Sequence, residues 1–289
     1  MTQKQLALAM FSGGLDSTTL VYDLLAQGYN VELISFNYGQ RHKKELVYAG
    51  ATAKTLGLKH DIIDLSGLTH LISNSALTSP WDSKVSSNFT DGSRELMPDI
   101  EVPEGHYAED NMKATVVPNR NMIMLAIAAG VAVNRRAWMI AAAVHAGDHF
   151  IYPDCRPRFI QAANAAIVIG NEGFGPIGSQ EERFPLQHYI NAPYLNLSKA
   201  DIAYKALELD VPLHMTWSCY KGGANHCGRC GTCVERLEAI DEAVRRFTWE
   251  HNLASMKDGK ALIDMTTYDD TEYWKVQIAK AKQEAKSNG

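Results

Sequence analysis

The sequence predicts an α/β fold, a doubly wound parallel sheet followed by a smaller helical segment built around a metal. Three observations predict it. Strand-like and helix-like periods alternate through the first 65 residues, the first apolar run empties into the turn Ser12-Gly13-Gly14-Leu15-Asp16-Ser17, and four of the five cysteines crowd between Cys219 and Cys233. Strands that alternate with helices need crossover connections, hence run parallel, and such sheets bind ligands at the carboxyl ends of strands where the strand order reverses.

Residues 6–11, Leu-Ala-Leu-Ala-Met-Phe, are apolar throughout and read as a buried strand. The two glycines that follow let backbone N–H groups come close to a ligand, and a helix predicted over 17–28 aims its positive end at the same place. An anion belongs there. The turn lacks the Gly-Lys-Ser/Thr ending of the Walker loop and the three-glycine spacing of the dinucleotide loop. Residues 31–36 form the second strand, closing on Asn37-Tyr38-Gly39-Gln40. An amphipathic helix over 41–56, stopped by Gly57, leads to a third strand over 61–65.

The stretch 73–111 breaks the pattern with prolines at 80, 98 and 103 and many serines, and reads as a long loop. Pro118-Asn119-Arg120-Asn121 opens an apolar helix through Val133. Residues 137–144 read as a buried strand with His145-Ala146-Gly147-Asp148 at its carboxyl end, 158–170 as a helix, and 171–180 as a glycine-rich connection. Ser198, with Asp201 three positions on, has the form of a helix cap introducing 202–209. A further helix is predicted over 234–247. Beyond it Trp274, Ile278 and Ala281 share one face of a charged terminal helix, a docking face.

Composition excludes several classes. With 46% hydrophobic and 21% charged residues the chain is of ordinary globular type. A net charge of −5, with basic residues scattered in pairs such as Lys43-Lys44, argues against a stable nucleic-acid partner. The uncharged stretch 121–134 is too short to cross a bilayer, and residues 1–5 lack the organisation of an export signal. The expected setting is the cytoplasm, with no membrane.

There, crowded thiols indicate metal before disulfide. Cys219, Cys227, Cys230 and Cys233, set among Gly222, Gly223, Gly228 and Gly231, suit closed tetrahedral zinc. An iron–sulfur cluster is the rival, and His226 is a possible substitute for Cys219 as a ligand.

The glycine turn resembles the phosphate loop of the N-type ATP pyrophosphatases, the PP-loop enzymes that split ATP between its α and β phosphates to adenylate a substrate. Four further blocks extend the likeness. With Phe36-Asn37-Tyr38-Gly39-Gln40-Arg41-His42, Val117-Pro118-Asn119-Arg120-Asn121, Gly147-Asp148 with Tyr152-Pro153-Asp154-Cys155-Arg156-Pro157, and Trp217-Ser218-Cys219-Tyr220 with the remaining cysteines, the chain resembles the QueC family of 7-cyano-7-deazaguanine (preQ0) synthases of queuosine biosynthesis. It departs from that family at Arg158, where an acidic residue is usual, in an insertion over 79–91, and in a longer tail after 247.

The resemblance implies a PP-loop domain over 1–212, with a loop insertion at about 73–113, and a zinc-binding helical extension over 213–289. It implies conversion of 7-carboxy-7-deazaguanine and ammonia, with ATP and Mg²⁺, into the nitrile by a homodimer holding one structural Zn²⁺ per chain at Cys219, Cys227, Cys230 and Cys233. Phe11, Ser12, Gly13, Gly14, Leu15, Asp16, Ser17, Thr18, Thr19 and Leu20, with Asn37, Tyr38, Gly39, Gln40 and Arg41, would bind ATP. Asp16, Ser17, Arg120 and Asp148 would serve catalysis, and Asp148, Tyr152, Asp154 and Arg156 would contact the deazaguanine. The residues also admit plainer roles: Asp16 as a helix N-cap, Asp154 with Arg156 as a structural ion pair, Arg120 as a surface arginine. Alternative functions are a ligase joining the activated deazaguanine to another amine, and a PP-loop enzyme of tRNA modification.

Overall fold

The computed structural model describes residues 4–40, 43–71, 75–78, 101–107, 112–174 and 189–250. Arg41, most of the 73–111 stretch and the terminal helix expected around Trp274, Ile278 and Ala281 lie outside the described residues. Five parallel strands form the sheet: β1 (Leu6–Met10), β2 (Asn30–Asn37), β3 (His60–Asp64), β4 (Met139–Ala141) and β5 (Ile190–Asn191), in the order β3-β2-β1-β4-β5. The chain winds outward from β1 to β3, then returns to lay β4 on the other side of β1. The order therefore reverses between β1 and β4, and the turn at Ser12 and the segment at His145 leave the sheet side by side at that point.

Helices α1 (Leu15–Ala26), α2 (Lys44–Leu56), α3 (Arg120–Asn134), α4 (Pro157–Gly170), α5 (Lys199–Glu208) and α6 (Gly231–Glu250) cover both faces. Alternation along β1 sorts them. Ala7 and Ala9 point into one buried cluster with Leu20 and Leu24 of α1, Ala49 of α2, Ile202 of α5 and Ala239 of α6, whereas Leu8 points into the other with Leu125 of α3 and Ile160 of α4. Ala239, Ile240 and Ala243 of α6 thus share a core with β1, and the cysteine-bearing segment is packed onto the sheet domain.

Boundaries differ from the sequence reading where capping or burial decides them. Helix α1 starts at Leu15, two residues early, after Gly14; the strand expected over 137–144 is shorter, confined to β4; and β5, two residues long, has too little pattern to be read. Ser198 and Asp201 form the expected reciprocal cap of α5. The apolar segment Lys113–Asn134, with a mean hydropathy of 1.5, is the one described segment apolar and long enough to raise the question of a membrane. Its continuous helix is α3, roughly 22 Å long at 1.5 Å per residue and shorter than a ~30 Å hydrocarbon core. Leu125, Ala128, Ala129 and Ala132 face the sheet.

The phosphate-type turn is shaped by one close approach. Gly13 has φ +80°, and a Cβ there would stand 2.5 Å from the Glu45 carbonyl oxygen and 2.7 Å from the Ala49 nitrogen, so the start of α2 rests directly on the turn. Gly13→Ala would have to open that contact and hold a strained backbone. It is expected to cost about 1–3 kcal/mol of unfolding free energy, read as a lowered denaturant midpoint.

Candidate active site and metal centre

The turn after β1 closes on itself through hydroxyls. Ser17 Oγ receives the Ser12 N–H at 3.2 Å and lies 3.0 Å from Ser12 Oγ, and Ser12 Oγ receives the Gly14 N–H at 3.3 Å. Helix α1 opens at Gly14 without a side-chain cap among the described residues, so its first N–H groups face the cleft. Asp16 is therefore not the N-cap. Its Oδ2 accepts from Lys199 Nζ at 2.5 Å, and its Oδ1 is buried with no hydrogen-bond partner among the described residues. Burial raises the Asp16 carboxyl, but Lys199, His145 and Arg236 outweigh that effect and hold it below its ordinary range.

Lys199, one residue past the Ser198 cap of α5, escaped the sequence reading because helix starts commonly carry solvated lysines. Here it is half-buried and also faces Glu235 Oε2 at 3.7 Å, and the two carboxylates outweigh the burial penalty and raise its pKa. His145 is 2% exposed. Its Nδ1 accepts the Gly147 N–H at 3.2 Å, which assigns the ring proton of the neutral form to Nε2, 3.5 Å from Asp148 Oδ2 and 3.9 Å from Asp16 Oδ2. Gly147 is required by crowding, since a Cβ there would meet His145 at 3.0 Å and Glu235 at 3.3 Å. Asp148 Oδ1 accepts from Tyr107 at 3.0 Å.

Asp16, Lys199 and Asp148 line a cavity of about 260 Å³ together with Arg120, Tyr38, Tyr220, Glu45 and Met124. Arg120 is no surface residue. Its guanidinium stands 5.8 Å from the Tyr38 ring and 5.7 Å from the Tyr152 ring, with no carboxylate in ion-pair contact among the described residues. Burial lowers its pKa, and the electron-rich phenols around it more than restore it.

Several expected contacts belong to the scaffold instead. Asp154 receives the Asn121 N–H at 2.9 Å and so anchors the first turn of α3 behind Arg120; it makes no ion pair with Arg156, whose Nε donates to the His149 carbonyl at 2.7 Å. Neither lines the cavity, and Arg158 is exposed outside it. Asn37 donates to Asp64, and Gln40 is buried, receiving the Tyr38 N–H and donating to the Phe36 carbonyl. Phe11, Ser12, Gly14, Leu15, Asp16, Ser17 and Tyr38 line the cavity, whereas Gly13, Thr18, Thr19, Leu20, Asn37, Gly39 and Gln40 support it from behind.

The four thiols of Cys219, Cys227, Cys230 and Cys233 lie within 4.8 Å of one another. Tetrahedral zinc, with about 2.3 Å to each sulfur, fits such a set. Thiolates around a multi-iron cluster would stand farther apart. The N–H groups of Lys221 and Cys227 point at the Cys219 sulfur and that of Cys230 at the Cys227 sulfur, as second-shell donors to thiolates do. His226 is not a ligand: its Nε2 accepts the Ser218 N–H at 3.2 Å, its ring stacks on Trp217, and burial takes its pKa down to about 2.

The metal centre reaches the phosphate turn through Arg236. One turn past Cys233 and wholly buried, Arg236 donates to Thr216 Oγ1 (2.7 Å), Ser218 Oγ (3.2 Å) and the Leu213 carbonyl (2.8 Å). The segment it fixes gives the Trp217 N–H to the Gly13 carbonyl at 2.9 Å.

Residues 6–244 match the family described as "Queuosine biosynthesis protein QueC". The chain belongs to that family. It is 44% identical over 268 residues to 7-cyano-7-deazaguanine synthase 1 of Mesorhizobium japonicum, covering 93% of this chain and 95% of that protein. It is 45% identical over 267 residues to 7-cyano-7-deazaguanine synthase of Sinorhizobium fredii, covering 92% and 93%. Among solved structures it is similar to NMN synthetase of Francisella tularensis, at 13% identity and a TM-score of 0.40, covering 91% and 90% of the two chains. The QueC match runs through both the phosphate turn and the cysteine centre.

Removing the metal should loosen the phosphate turn before it unfolds the sheet. Chelation, or Cys230→Ser, is expected to weaken nucleotide binding about tenfold or more, as second-shell losses do at other metal-organised sites, and to lower the melting temperature. Titration calorimetry with ATP before and after zinc restoration checks it.

Proposed function

We propose that this QueC-family enzyme converts 7-carboxy-7-deazaguanine and ammonia, with ATP, into 7-cyano-7-deazaguanine. One observation carries the reading: a phosphate turn and an arginine held among phenols open into the same cavity. The first suits a nucleotide's phosphates, the second an anionic acid on a flat ring.

A carboxylate is a poor electrophile because it is anionic and would have to expel oxide. Phosphorylic activation, as an acyl adenylate or comparable ester, makes its oxygen a leaving group. Ammonia then gives the amide, and a second activation at the amide oxygen allows its loss and leaves the nitrile. In this scheme the N–H groups at the start of α1, with Ser12, Ser17 and Lys199, hold the phosphates and take up charge as it develops on them. Arg120 receives the carboxylate, the rings of Tyr38 and Tyr220 give flat walls, and Asp148 offers an acceptor to ring N–H groups.

Asp16 Oδ1, buried and unpartnered, fits a divalent cation. Asp16 would hold Mg²⁺ there beside the phosphates, and the ion would supply neutralising charge to them. The reading includes a homodimer in the cytoplasm. An enzyme of tRNA sulfur insertion would need a reactive thiol, and four of the five cysteines converge on the metal centre. Burial pushes the remaining Cys155 thiol well above its ordinary range, which suits packing and not nucleophilic attack.

Mass spectrometry of a reaction with 7-carboxy-7-deazaguanine, ammonium, Mg²⁺ and ATP is expected to show the nitrile. Asp16→Ala should lower kcat/KM by about 10²–10³, the loss typical of one preorganised electrostatic group. No deazapurine turnover by folded, zinc-loaded wild type defeats the assignment.

A further inference from the structure

We propose that Glu45 is the ammonium site of this cavity and the base that removes the nucleophile's proton, an inference that rests on the reading just given. The cavity's carboxylates differ in what already answers them. Asp16 is paired with Lys199, and Asp148 accepts from Tyr107 and faces His145. Glu45, on the first turn of α2 and lining the cavity, receives only the neutral amide of Gln40, Nε2 to Oε1 at 3.1 Å, with no cationic nitrogen in ion-pair contact among the described residues. Gln40 cannot turn away, because its other end receives the Tyr38 N–H. A desolvated carboxyl in that position takes up either a proton or a cation.

The charged and titratable groups around it leave that choice open. From α3, Arg120 approaches without pairing; from the end of β2, Tyr38 stays a neutral phenol, pushed up to about 12 mainly by burial. On its own helix Lys44 turns away, donating to the Gly223 and Ala224 carbonyls and covering the Trp217 ring. The Asp16–Lys199 pair belongs to α1 and α5. Burial pushes Glu45 up to about 7, with the Gln40 hydrogen bond and Arg120 pulling it back, so both of its forms are populated at neutral pH.

Ammonia in neutral water is almost wholly ammonium, which has no lone pair to give. Docked against the Glu45 carboxylate, ammonium passes one proton to it and becomes the nucleophile. Nitrogen then bonds to the activated acyl carbon, the bond to the phosphoryl oxygen breaks with its electron pair, and the adduct's surplus N–H proton leaves on the departing phosphate. Glu45 discharges its proton to water. In the dehydration the amide oxygen bonds to the second ATP's phosphorus as the phosphate chain beyond it leaves, the first N–H proton going out on that leaving phosphate. Glu45 then accepts the last N–H proton as the activated oxygen departs with its electron pair and the carbon–nitrogen triple bond forms. Arg120 lies beside it to hold the acid, which places base and electrophile on the same side of the cavity.

Hydroxylamine separates this role from a structural one, because it is unprotonated at neutral pH and needs no base to become a nucleophile. For Glu45→Gln, kcat/KM for ammonium at pH 7 should fall about 10²-fold, the deficit shrinking toward pH 9 as free ammonia becomes available, while hydroxamate formation falls less than about tenfold. Glu45→Asp, which keeps the carboxylate, should be intermediate with ammonium. It also serves as the test if the glutamine variant is unstable. Equal losses with both nucleophiles, or an unchanged ammonium kcat/KM, overturn the proposal while leaving the synthase reading intact. Wild type that forms neither hydroxamate nor nitrile takes both down together.

Discussion

Everything at the site depends on how closely α2 and the segment before the first metal-binding cysteine press on Gly13. A residue with a side chain could stand there only by pushing α2 away, because the Glu45 carbonyl and the Ala49 nitrogen occupy the space of its Cβ, and the Trp217 N–H holds its carbonyl from the other side. The turn is thus clamped between two elements that come from opposite ends of the chain. Clamping gives it a fixed shape without side-chain capping, and it leaves the first N–H groups of α1 facing the cavity.

The clamp is maintained at a distance. Four thiols fix the start of α6, Arg236 carries that position to the strand-like segment at Thr216 and Ser218, and Trp217 delivers it to the turn. Buried arginine is costly unless its donors are used, and here hydroxyl and carbonyl oxygens take up both terminal nitrogens. A metal held by these thiols would therefore have a mechanical path to the phosphate turn.

Charge is divided across the cavity in a way that suits two unlike guests. Around α1 and α5, carboxylates, lysine and histidine balance one another, with one Asp16 oxygen lacking a partner among the described residues. On the α3 side Arg120 and Glu45 stand near each other without pairing, each answered by phenols or a neutral amide. Groups that are already paired inside a protein hold geometry; groups left with a weak partner are those free to meet a ligand.

The parallel sheet, the phosphate turn, the cap at Ser198 and the four-cysteine centre were all legible in sequence, because each is a local matter: an apolar run, two glycines, a hydroxyl three residues from a carboxylate, thiols at short spacing. Lys199, Glu235 and Glu45 were not legible, since each sits on a helix where a charged residue is ordinarily solvated, and only packing reveals that it is not. Asp154 and Arg156 show the converse, for side chains that looked like ligand contacts spend their hydrogen bonds on the backbone behind Arg120. What the sequence determined alone was the set of elements and the chemistry of two motifs. Only the tertiary structure decided which charges face one another, because that depends on the pairing of β1 with β4 and on elements nearly two hundred residues apart, whose contacts leave no periodic trace along the chain.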